Sequence, residues 1–172
     1  MSFALIEVEA TAKKAARGAG YSWGMAEEAA MATRWLCAQG IDGVAALSLA
    51  LELADGAGLA ARVTAKLGGD WHAEAGVMCP LIAVATLSDS VFMWSADGKR
   101  IECVAAPILL LPFAAMAARA LGTTVTVAWA GAQSATNGTA TSLEAADASA
   151  LLDLAEEVTV QTGGTVGTPL PE

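Results

Sequence analysis

Gly20-Tyr21-Ser22-Trp23-Gly24 spells Gly-x-Ser-x-Gly, the pattern by which α/β-hydrolases lift a nucleophilic serine onto a sharp turn between a strand and a helix. Such a hydroxyl attacks only when a histidine takes its proton and an acid orients that histidine. Neither condition is met in this chain. The residues before the pattern, Ala12-Lys13-Lys14-Ala15-Ala16-Arg17, read as helix, and the only histidine, His72, lies fifty positions on. Position 22 also leaves no room for the strands that precede such an elbow. Local geometry accounts for the same residue: a serine hydroxyl just ahead of a helical run accepts a free amide of the first turn. Ser22 is therefore read as a helix cap.

The same stretch contains Gly18-x-Gly20-x-x-x-Gly24, which has the flavour of a dinucleotide loop but joins two helices instead of following a strand. What survives is electrostatic. Free amides after Ser22, the positive end of the helix dipole and nearby Arg17 could hold a carboxylate or phosphate. The plainer alternative is a glycine-rich turn with Arg17 facing solvent. His72-Ala73-Glu74 matches the His-x-Glu half of a zinc deaminase site, but the Pro-Cys-x-x-Cys half is missing: Cys79 precedes Pro80 and Cys103 stands alone. A loop histidine is the simpler reading, and no metal or cofactor is expected. Asp89, between Ser88 and Ser90, reads as turn chemistry or as an acid at an element's end.

The helix after the cap holds the densest constellation. On a helical wheel Met25, Ala29, Ala32 and Leu36 form one apolar face. Trp23, Glu27, Met31, Arg34 and Trp35 gather opposite, with Glu28 at the margin. Two tryptophans and a methionine do not belong on a solvated face. This side is expected to meet another layer or a second subunit, with Glu27 and Arg34 as a charge pair, or else to line a cleft in which those charges act on a ligand. Arg17, Gly20, Ser22, Trp23, Glu27 and Arg34 are the candidate binding residues.

Spacing predicts the elements that must position them. A first helix is expected over about 3–17, with Leu5, Val8, Ala12, Ala15 and Ala16 on one side and Ser2 as cap; a second from Trp23 to about Gln39; and a third from Val44 to Leu53, opened by Asp42. Residues 58–76 read as irregular, with one short helix or strand. Leu81–Leu87 has strand length, and Val91-Phe92-Met93-Trp94 with Ile101–Val104 across Asp97-Gly98 reads as a hairpin. A helix from Pro112 to Gly122, a strand over Thr123–Trp129, a loop over Gln133–Ser142, a helix over Leu143–Glu157 and a strand over Val158–Thr162 complete the chain. Helices first and a mostly antiparallel sheet after, with one or two further helices, make the fold α+β. A single domain is expected over 1–162, followed by a mobile tail from 163 to 172.

Composition bounds the partners. The 172 residues carry a net charge of −9, opposite in sign to what nucleic acid or an anionic membrane attracts, so neither is an expected partner. All nine basic residues lie at or before Arg119, which confines any anion site to the first two thirds. Charged residues are only 16% of the chain, against about a quarter in a typical soluble protein. So little polar area to cover the outside favours a homo-oligomer. Three scattered cysteines fit reduced thiols, and the acidic N-terminus lacks a signal peptide's basic start, so the cytoplasm is the expected compartment. The longest uncharged run, Cys103–Ala118, is too short to span a bilayer and reads as buried core.

Ala15-Ala16-Arg17-Gly18-Ala19-Gly20-x-Ser22-Trp23-Gly24-x-Ala26-Glu27-Glu28-Ala29, continued by Arg34-Trp35-Leu36, resembles an uncharacterised bacterial domain-of-unknown-function family. Pro107-x-Leu109-Leu110-Leu111-Pro112-Phe113 and Val127-x-Trp129 are similar to it as well. That family has no assigned activity, so the resemblance implies a single cytoplasmic bacterial domain and no catalytic residues. Two functions follow from the residues: a homo-oligomeric accessory or scaffold protein, or a small anionic-metabolite-binding protein or enzyme with its site at the glycine-rich turn and second helix.

Overall fold

The computed structural model describes residues 4–54, 68–74 and 76–171. Three helices come first: α1 (Leu5–Gly18), α2 (Trp23–Ala38) and α3 (Gly43–Ala54). Ser22 caps α2 through its hydroxyl, which accepts from the Met25 amide at 3.3 Å, and Asp42 caps α3 by accepting from the Ala45 amide at 2.9 Å. The cap of α1 is Ala4, not Ser2; the Glu7 carboxylate compensates by accepting from the Ala4 amide at 3.2 Å. Alanines make the helix contacts. Ala12 and Ala16 of α1 pack on Ala26, Ala29 and Ala30 of α2, so the small-residue excess brings backbones close together.

The rest is built around a five-stranded sheet ordered β1-β5-β2-β3-β4, with every neighbouring pair antiparallel. Its strands are β1 (Lys99–Val104), β2 (Val125–Trp129), β3 (Ala132–Thr136), β4 (Thr141–Ala145) and β5 (Ala155–Thr162). Helices α4 (Pro80–Asp89), α5 (Val91–Trp94), α6 (Leu111–Leu121) and α7 (Ser149–Leu152) are threaded among them, with a 3-10 turn over Pro107–Leu110. These four exceed the one or two further helices expected after α3. The Pro107–Phe113 stretch is wholly buried and centres the core.

Several expected elements are different. Leu81–Leu87 is not a strand but the body of α4: Pro80 starts a helix well, and Leu81, Val84 and Leu87 are buried at helical spacing. Val91–Trp94 is a helical turn anchored by Trp94, whose indole nitrogen donates to the Leu87 carbonyl at 2.9 Å. The strand over 101–104 exists but pairs with β5, so the hairpin does not form. The expected loop at 133–142 is most of a strand pair, β3 and β4. Ser134, Thr136, Thr141 and Ser142 are buried there and satisfied across the pair, with Ser134 donating to the Ser142 carbonyl at 2.8 Å and Thr141 to the Thr136 hydroxyl at 2.9 Å. The expected helix over 143–157 is the end of β4, the single turn α7 and the start of β5.

Of the 58–76 region, residues 58–67 and 75 lie outside the described residues. Trp71 is buried and forms a parallel bridge to Ile101, and Met78 does the same to Val104, so this segment covers the free edge of β1. The opposite edge is covered too. In the stretch read as a mobile tail, Gly163 is held at the start of β2 by the Thr124 carbonyl, and residues 167–170 meet β4, where the Leu170 amide donates to the Thr141 carbonyl at 2.7 Å and the Gly167 amide to the Ser142 hydroxyl at 3.0 Å. Among the described residues no helix is long and apolar enough to cross a membrane.

Candidate functional site

The turn between α1 and α2 brings together five of the six candidate residues. Gly20 takes φ +89°, which reverses the chain so that the Tyr21 amide can donate to the Ala16 carbonyl at 3.1 Å. Arg17 closes the turn: one terminal nitrogen donates to the Tyr21 carbonyl, and the guanidinium lies 4.6 Å from the centre of the Trp23 ring. Lys13 approaches the same ring at 5.5 Å and pairs with Glu27 at 2.6 Å. Trp23 itself is 65% exposed. The cluster is thus an open indole flanked by two cations, and Arg17 also fixes the backbone. Tyr21, the only tyrosine, is buried below it and shares a 3.0 Å hydrogen bond with Cys79, tying the turn to the start of α4.

Arg34 stands apart from this cluster. It pairs with Glu9 of α1 at 3.4 Å, while Glu27 is taken by Lys13, so the expected Glu27–Arg34 pair does not form. Met31 and Trp35 also part from Trp23: both are half-buried against the main core, which resolves their side of α2 as a contact with another layer. Trp23 alone stays outside.

Two features went unread in the sequence. The first is Glu28, whose Oε2 is buried without a hydrogen-bond partner among the described residues, as is the Ser88 hydroxyl. Burial pushes the Glu28 carboxyl above its ordinary value, and the Asp89 charge adds to the shift. No spacing rule links positions 28 and 89, which only the packing of α4 brings near. The second is a recess of about 270 Å³ between α1 and α3, walled by Val8, Ala12 and Ala15 on one side and by Val44, Leu47 and Leu51 on the other. Val44 beside it is half-exposed. The apolar periodicity of both helices was the available signal, but which stripe is left uncovered depends on how each sits on α2. Among the described residues no three His, Cys, Asp or Glu side chains are grouped to hold a metal ion.

Residues 3–79 match the model of a family described as "Protein of unknown function (DUF3726)". The match spans α1 to α3 and ends at Cys79, the residue that caps α4. It shows the resemblance to an uncharacterised family over that part of the chain; the similar stretches at 107–113 and 127–129 lie beyond it. Comparison with curated proteins and with solved structures finds no match.

Proposed function

We propose that the protein acts as a homo-oligomeric accessory protein whose copies join through the α1–α3 face. The observation that carries this reading is the open apolar recess between those helices, since a chain so poor in charge gains by covering such a surface. The geometry also favours a second copy as its cover. Glu7, Thr11 and Lys14 follow one another at helical spacing along α1, and Glu7 and Thr11 rim the recess. Two α1 helices packed antiparallel about their middle would set Glu7 against Lys14 of the second copy, twice over, as a two-fold axis requires. Lys14 has no ion pair within its own chain among the described residues, so its ammonium is available to that contact, while Glu7 keeps one oxygen on the Ala4 amide. Three unpaired thiols support a reducing, cytoplasmic setting.

Mass in solution across a dilution series tests this. Wild type is expected to be a dimer or larger at micromolar concentration, Lys14→Glu to dissociate it, and Glu7→Lys with Lys14→Glu to restore it. Arg34→Glu, which opposes Glu9 within the same copy, is expected to leave the mass unchanged. A monomeric wild type, or a double swap no better than the single, overturns the interface.

A further inference from the structure

A cleft of about 600 Å³ opens beside the first residues of β1 and along β5, with Gly68, Gly69 and Asp70 on its wall. Its size suits a small molecule. Five ionised side chains line it, and their state of use differs. Lys99 is spent: its ammonium donates to the Gly69 carbonyl at 2.8 Å and lies 5.0 Å from the centre of the Trp71 ring. Arg100 is half spent, since its Nε meets Glu157 at 2.8 Å and Asp70 at 3.9 Å while its two terminal nitrogens have no ion pair among the described residues. Those nitrogens form a planar donor edge that suits a carboxylate. Among the described residues Asp97 has no ion pair, so the cleft offers a carboxylate as well.

We propose that this cleft binds a small zwitterion of the amino-acid or short-peptide class, its carboxylate on the outer edge of Arg100 and its ammonium on Asp97. The charge balance selects for such a ligand. Asp70, Asp97 and Glu157 outnumber Lys99 and Arg100, so a multiply charged anion such as a phosphate ester is repelled, whereas a molecule carrying one charge of each sign finds a counterpart for both. Met93, 68% exposed at the rim, gives an aliphatic side chain an apolar seat.

The test is binding of alanyl-alanine, followed by amide chemical shifts, against its N-acetylated and its C-amidated forms. Wild type is expected to respond to the free dipeptide at millimolar concentration and to each blocked form about tenfold more weakly, a difference of about 1.4 kcal/mol. Arg100→Gln should erase the preference for a free carboxylate, and Asp97→Asn the preference for a free ammonium. Because Arg100 also bridges two acids, its variant is checked for an unchanged fold; Asp97, which has no ion pair to lose among the described residues, keeps the test valid if that check fails. No response to the dipeptide, or an equally strong response to the N-acetylated and C-amidated forms, overturns the proposal. A response that survives both variants but disappears in Arg17→Ala overturns it in favour of the glycine-rich turn.

Discussion

Glu28 is the residue whose environment and charge conflict most. One carboxyl oxygen is buried at the approach of α2 to α4 with nothing among the described residues to donate to it, and Asp89 adds repulsion. Its proton is therefore held in the fold at a pH where the unfolded chain has already released it. The native state then binds more protons than the unfolded one, so this residue lowers stability as pH rises through the window above its unfolded value, and contributes no penalty well below that value. Glu28→Gln is expected to raise the unfolding midpoint at pH 7, by about 1–2 °C for a carboxyl that is only partly buried, and to give no gain at pH 4. An equal gain at both pH values would show that packing, not titration, separates the two side chains. Ser22 illustrates the opposite situation: its one visible contact, to the Met25 amide, is a complete account of its type, and the hydrolase-like spelling around it has no strand, base or acid behind it.

Among the elements, the α2–α3 corner is a tight junction. A Cβ on Gly43 would stand 2.5 Å from the Thr33 carbonyl oxygen and 2.9 Å from the Leu36 Cβ, so only glycine lets α3 start so close to α2. Gly43→Ala is expected to cost about 1–3 kcal/mol in denaturant unfolding. Gly24→Ala, inside α2 with nothing within 4 Å, should instead stabilise by about 0.5–1 kcal/mol. If the two variants behave alike, the corner is looser than its distances state. Elements were legible where periodicity and caps coincided, as for α2 between Ser22 and Gly40 or α6 between Pro112 and Gly122. They were misread where a short apolar run fits either geometry, as at Leu81–Leu87, or where buried polar strands have a loop's composition, as at Gln133–Ser142.

At the scale of the whole molecule the sheet has both edges covered, β1 by the segment holding Trp71 and Met78 and β4 by the last described residues. Open edges recruit other chains through their unpaired amides and carbonyls. Removal of residues 164–172 is therefore expected to free the Thr141 carbonyl and cause concentration-dependent aggregation, seen by light scattering; a truncated protein that scatters like wild type would show that β4 is protected otherwise. Composition, charge order and periodicity determined that this chain is α+β with its helices first, that its cations lie in the first two thirds, and that Ser22 caps a helix, because each depends on neighbours within a few residues. Only tertiary structure decided that Glu27 pairs with Lys13 and Arg34 with Glu9, that Met31 and Trp35 join the core while Trp23 does not, and that Arg100 and Asp97 share a cleft. Those outcomes depend on the angle at which one helix crosses the next and on which strands become neighbours, and side chains brought together across such distances leave no spacing in the sequence to read.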